Sequence, residues 1–313
     1  MNWPETIAEI ERARAERPTV FAGPRGDLVG ILTPAAPAAP RAGVHVLLLS
    51  RPRFEQRRMS VQIARRLAAV GFDCLRFDQH GWGDSAGETL PMNLDRPATT
   101  ELLAALKYLR QHCGAERFIL YGSCIDARNA LSAFTTAEAP AVEGLIFVST
   151  PVARLATTDV FNWTNLARWA RDRETWRRVL FSSASRRLGL RALRFTVRGW
   201  LGKILGRAAG SVSVTFQTHL DALARSRARA LFLYGTDDEE YTSFQVAERE
   251  VFPRLRPAAR ARIAVEVWPG RVHSPYEVKR QQEVAERIIA FATTLHPYAG
   301  RVNGEVEGLR ATA

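Results

Sequence analysis

The segment FILYGSCIDARNAL, residues 118–131, has the residue order that nucleophilic catalysis needs. An apolar strand reads into Gly122, and a helical pattern begins almost at once. A sharp strand–turn–helix of this kind carries a nucleophile at its apex, two residues beyond the glycine. Here that residue is Cys124. Its neighbour Ser123 is out of register, because a serine apex there would put Tyr121 and Ile125 at the two crowded positions. The glycine is expected because the turn presses its backbone against the neighbouring strand. The second small position holds Asp126 instead of glycine, with Ala127 behind it, which departs from the usual pattern.

A thiol nucleophile needs a base, and the base needs an orienting acid, in the chain order nucleophile, acid, histidine. After the apolar run ALFLYG comes GTDDEEY, in which the acid position three beyond the glycine is Asp238; Asp237 and Glu239 are the fallbacks. His273 follows in VEVWPGRVHSPYE, directly after another strand-like run. A lone loop histidine is ordinarily a surface residue, but its place after the last strand and a Pro-Gly turn selects it for catalysis. The first amides of the helix beginning near Ile125 favour negative charge at the elbow. They are therefore expected to lower the Cys124 pKa. The Ile125 N–H supplies one oxyanion donor. The second is sought in SRPRFEQRR, where Pro52 has no N–H, so Arg53 is the candidate, with Phe54 next.

A literal GxSxG occurs at Gly83–Gly87, within FDQHGWGDSAG. It is polar and does not run from strand directly into helix, so Ser85 is read as part of a structural turn.

Around these residues, β-branched apolar runs alternate with helical spacing, the pattern of a mostly parallel sheet flanked by helices. Strands are predicted at Thr19–Phe21, Leu28–Leu32, Val44–Leu49, Phe72–Phe77, Phe118–Tyr121, Leu145–Ser149, Ala230–Tyr234 and Ile263–Trp268. Helices are predicted at Ser60–Val70, Thr100–His112, Ile125–Phe134 and Tyr276–Leu295. Residues 1–152 and 230–313 thus form an α/β core. Residues 153–229 have helical spacing and read as an inserted cap.

The chain has 313 residues and a formal net charge of +12. The excess sits in the cap, where 16 basic side chains meet 4 acidic ones. All but three of the basic residues in the chain are arginines. That clustering suits an anionic ligand as well as it suits a solvated face. No zinc-finger, basic-zipper or RNA-recognition pattern accompanies it, which argues against nucleic acid. The three cysteines lack zinc-type spacing, no HExxH pair occurs, and nothing calls for a metal or cofactor. There is no apolar run of membrane-spanning length and no apolar signal segment, so the chain is expected in the cytoplasm. The oligomeric state is not legible.

The whole plan resembles the α/β-hydrolase superfamily. In detail it is similar to the exosortase A system-associated hydrolases, through the SRPRF loop, the LRFDxxGxGDSxG-like turn, the G-x-C elbow and a basic cap with a WRR stretch. The resemblance implies an α/β-hydrolase fold and a triad of Cys124, Asp238 and His273. Sulfur then narrows the chemistry. An ester attacked by a thiolate must expel an alkoxide, so collapse back to substrate is favoured, whereas a thioester exchanges one thiolate for another. A thioesterase or acyltransferase on a small-molecule acyl group, linked to coenzyme A or an acyl carrier protein, is therefore expected. Arg186, Arg187 and Arg191 would meet the anionic carrier, and Trp163 and Trp169 the acyl chain. The alternatives are a carboxylesterase and a non-catalytic binding module on the same scaffold.

Overall fold

A computed structural model describes residues 15–89, 93–95, 97–136, 141–153 and 212–296. Eight strands form one sheet: β1 Arg17–Gly23, β2 Gly26–Thr33, β3 His45–Leu49, β4 Asp73–Phe77, β5 Arg117–Ser123, β6 Ala141–Val148, β7 Arg229–Gly235 and β8 Ile263–Trp268, in the order β1-β2-β4-β3-β5-β6-β7-β8. β1 and β2 are an antiparallel hairpin, and β2 meets β4 antiparallel. From β4 to β8 every pairing is parallel.

Every residue of β3 is buried, as expected of a strand covered on both faces. One face of the sheet packs α1 Met59–Ala69 and the last helix, through Met59, Ile63, Leu67, Ile288 and Phe291. The other packs α2 Thr100–Cys113, α3 Ile125–Phe134, α4 Val214–Arg225 and α5 Tyr241–Glu250, through Leu102, Leu106, Leu131, Phe216, Leu220 and Phe244. The last helix, α6, is Val278–Leu295, two residues shorter at its start than the spacing predicts. Ser274 has φ 51°, and Tyr276 stays in the loop that follows. β5 runs past the predicted Tyr121 because Gly122 and Ser123 still pair with Phe147 and Val148. β6 starts at Ala141, ahead of its apolar run, with Glu143 bonded to Arg117 on β5 at 2.5 Å.

The ends of the predicted insertion lie side by side. Ala153 and Val212 form an antiparallel bridge, and Ser213 N–H donates to Val152 O at 2.9 Å. Arg128, fully buried on α3, donates to Pro151 O at 3.0 Å, Leu94 O at 2.7 Å and Ser213 Oγ at 3.3 Å. Burial pushes its guanidinium down to about 10. Within the stretch predicted as cap, α4 packs on the core, with Phe216 edge-on to Phe232 at 6.5 Å. Arg186, Arg187, Arg191, Trp163 and Trp169 lie outside the described residues.

Candidate active site

β5 ends one residue short of Cys124, and α3 begins one residue after it. Cys124 has φ 53° and ψ −123°, a region that non-glycine residues occupy only when the surroundings impose it. Its N–H donates to Val148 O at 2.8 Å, which anchors the apex to β6. Gly122 is required for a different reason than the one read from the sequence. A Cβ there would sit 2.6 Å from both N and Cα of Ala127, so the first turn of the helix, and not the neighbouring strand, demands glycine.

The thiol is largely buried, and its pKa is far above the ordinary value. Desolvation is the main cause, and the charge of Glu240 adds to it, with Oε1 at 3.6 Å from Sγ. The Ile125 N–H does favour the thiolate, as expected, but Glu240, Asp126 and burial outweigh it. The expected lowered pKa is thus reversed, and Cys124 rests as a neutral thiol. Replacing Glu240 by glutamine removes a negative charge beside the sulfur and should raise iodoacetamide labelling of Cys124 near pH 8 by about tenfold, the effect of roughly one pKa unit. Peptide mass mapping separates it from Cys74 and Cys113. An unchanged rate would show that Glu240 does not control the thiol.

Asp238 is buried directly after β7, where Gly235 N–H and Ser149 Oγ donate to its Oδ2, the former at 2.7 Å. Its Oδ1 accepts Val272 N–H at 3.1 Å and His273 N–H at 3.0 Å. Cys124, Asp238 and His273 thus all lie beyond the carboxyl ends of parallel strands. The Asp238–His273 contact runs through the histidine main chain. Among the described residues, no hydrogen bond joins the His273 ring to Asp238 or to Sγ.

Asp126 is held by Arg51 Nε at 3.1 Å, Gln79 Nε2 at 2.6 Å and Asn129 Nδ2 at 3.1 Å. The departure at this position is therefore a buried ion pair that ties the loop after β3 to the elbow. In that loop the Arg53 N–H donates to Asp78 Oδ1 at 2.7 Å. This corrects the expectation for Arg53, since its amide is already committed and is not available to an oxyanion. Asp78 also takes the Arg53 guanidinium and Asp84 N–H, the latter at 3.2 Å.

Ser85 donates to Asp78 O at 2.6 Å and accepts from Val29 N–H at 2.8 Å, so its hydroxyl braces the turn. Sequence reasoning missed Glu240, Ser149 and Arg51. The run DDEEY did mark an acidic cluster, but nothing in it distinguished Glu240.

A thiol apex, an acid after β7 and a histidine after β8, on a mostly parallel eight-stranded sheet, define an α/β hydrolase. Residues 45–273 match the family described as serine aminopeptidase, S33, and the chain belongs to that family. Solved structures share the fold at low identity. An esterase from Pyrococcus furiosus is 14% identical with TM-score 0.58, over 95% of this chain and 97% of that one. A proline iminopeptidase from Mycobacterium smegmatis is 15% identical with TM-score 0.53, over 90% and 99%. A serine hydrolase without a lid from Xanthomonas campestris is 14% identical with TM-score 0.52, over 90% and 93%. No curated protein sequence matches the chain. No helix among the described residues is long and apolar enough to cross a membrane.

Proposed function

We propose that this α/β hydrolase works through an acyl-cysteine at Cys124, with His273 as base and Asp238 holding it, and that its substrates are acyl thioesters. The observation that carries the reading is the strained apex at Cys124, a costly conformation that a merely structural thiol does not need. The likeness to the cysteine-bearing exosortase-associated hydrolases supports the same assignment.

In the first half-reaction the His273 ring takes the Sγ proton as sulfur bonds to the substrate carbonyl carbon. The carbonyl π electrons move to oxygen, and the Ile125 N–H supports that oxyanion. Collapse breaks the bond to the leaving sulfur, which departs as a thiol with the proton from His273. Water, an alcohol or an amine then gives a proton to His273 and attacks the acyl-cysteine. The product forms, and the proton returns to Sγ. A neutral resting thiol suits this concerted transfer. Arg186, Arg187 and Arg191 are proposed to meet a coenzyme A or carrier-protein phosphate, and Trp163 and Trp169 the acyl chain. The division into a core and a 153–229 cap and a cytoplasmic setting belong to the same proposal.

A carboxylesterase fits the fold and family equally well, and paired substrates decide between them. Intact-mass analysis with an acyl thioester and the matching oxygen ester should show an acyl adduct on the wild type, faster from the thioester, and none on Cys124→Ala. Equal or faster acylation by the ester would favour the esterase. No adduct from either under rapid quench would favour the binding module.

A further inference from the structure

A cleft of about 410 Å³ opens beside the loop after β3, and nothing in the proposed triad uses it. Its walls come from that loop, from β2 and β4, and from α1. Four arginines line it, Arg53, Arg58, Arg65 and Arg76, against one carboxylate, Glu16. Arg65 grips that carboxylate with both prongs, Nε to Oε1 at 3.0 Å and Nη2 to Oε2 at 3.1 Å. Arg76 Nη2 donates to Oε1 at 2.9 Å, and Thr33 Oγ1 donates to the same oxygen at 3.2 Å. Burial works against the Glu16 charge, yet Arg65 and Arg76 hold its carboxyl below the usual carboxylate range. The cleft therefore already binds one anion, the chain's own.

Glu16 does not exhaust the charge of the cleft. Arg53 is neutralised by Asp78 and Asp84. The Arg58 side chain has no hydrogen bond or ion pair among the described residues, and the buried Arg76 Nε has no acceptor among them. Arg58, Arg65 and Arg76 set against Glu16 leave an excess of two positive charges. Burial lowers the Arg76 pKa and Arg65 adds to that, although Glu16 opposes it, so this guanidinium is incompletely compensated. Arg58 also has φ 60°, a left-handed conformation that a solvated surface arginine does not need. Beside these charges the cleft is apolar. The Phe54 side chain is 48% exposed, next to buried Val61 and half-buried Ile31.

We propose that this cleft binds a phosphomonoester of an aromatic or apolar group, with Arg58, Arg65 and Arg76 on the phosphate and Phe54 against the attached group. A phosphomonoester is close to a dianion above pH 7 and so matches the excess of two charges. Its oxygens also fit the arginine fork that the Glu16 carboxylate fits in the structure. Glu16 then acts as a built-in competitor, because it holds two of the three arginines the ligand needs. The same loop reaches the elbow through Arg51, bonded to Asp126 at 3.1 Å, so an anion here sits on the segment that braces the apex at Cys124. The site does not depend on the role assigned to Cys124.

Titration of the full chain with phenyl phosphate at pH 8, followed by ligand-observed NMR, tests the assignment, with phenol and inorganic phosphate as the two halves of the probe. Phenyl phosphate should bind more tightly than inorganic phosphate, and phenol should not bind detectably. Arg58→Gln and Arg65→Gln should each weaken phenyl phosphate roughly tenfold to a hundredfold, the range for a lost charge-assisted hydrogen bond. Arg58 has no side-chain partner to lose, so its variant tests the site even if Arg65→Gln disturbs the fold. Glu16→Gln should move the affinity the other way, tightening phenyl phosphate by about tenfold, because a negative charge beside the phosphate opposes its binding. Binding unchanged in Arg58→Gln would put the anion elsewhere on this basic chain and overturn the proposal. It would equally be overturned by weaker binding in Glu16→Gln, or by phenyl phosphate binding no better than inorganic phosphate.

Discussion

His273→Ala should slow acylation of Cys124 by about a thousandfold, within the range that a positioned general base supplies. The size follows from the state of the thiol. Desolvation holds the Cys124 proton in place, and Glu240 and Asp126 add negative charge around it. No preformed thiolate population is then available to react without a base. Were the sulfur already ionised by the helix amides, losing the histidine would cost far less, because the nucleophile would survive. Rapid-quench mass measurement of the acyl adduct reads the difference, and a loss below about tenfold would mean that the thiolate exists before substrate binds. Glu240→Gln should partly relieve the defect, since it makes the proton easier to lose.

Gly122→Ala should destabilise the fold by about 3 kcal/mol, the upper range for overpacking against an unyielding neighbour. The added Cβ would meet backbone atoms of Ala127 at 2.6 Å, and backbone cannot rotate away as a side-chain tip can. Either α3 must move off the end of β5, or the apex must relax and Cys124 lose its position. A thermal midpoint lower by roughly 5–10 °C is expected, together with slower acylation. A midpoint equal to wild type would show that the elbow tolerates the methyl group and that glycine is not structurally required.

The order of the core was legible because each strand from β3 to β8 carries its own apolar run, and local pattern is enough to place it. The elbow was legible for the same reason, since a strand, Gly122 and a helix are consecutive in the chain. What pressed on Gly122 was misread, because both neighbours are backbone and leave no compositional trace. The direction of the Cys124 shift was also misread. Helix amides are local and visible, whereas Glu240 comes from the loop after β7, at the start of α5, and was one of four acidic residues in a row. Arg53 failed as an oxyanion donor for a related reason: its amide partner, Asp78, lies 25 residues away and only the fold joins them. Arg128 sits on α3 among small apolar residues, and its carbonyl partners at Leu94 and Pro151 could not be read from that helix.

The bridge between Ala153 and Val212 has a consequence for how such a chain can diversify. The two ends of residues 154–211 are pinned together by core contacts, chiefly Arg128 and the Ser213–Val152 bond. Loop-closure entropy grows only with the logarithm of chain length, so doubling the length between two fixed ends costs about 0.6 kcal/mol more. A change of length between those ends therefore costs the fold little, and it leaves the turn at Cys124, on the far side of the Val148 anchor, untouched. The join behaves as a socket: the bridge and the Arg128 bonds fix both ends, so the sheet need not be refolded when the chain between them changes length.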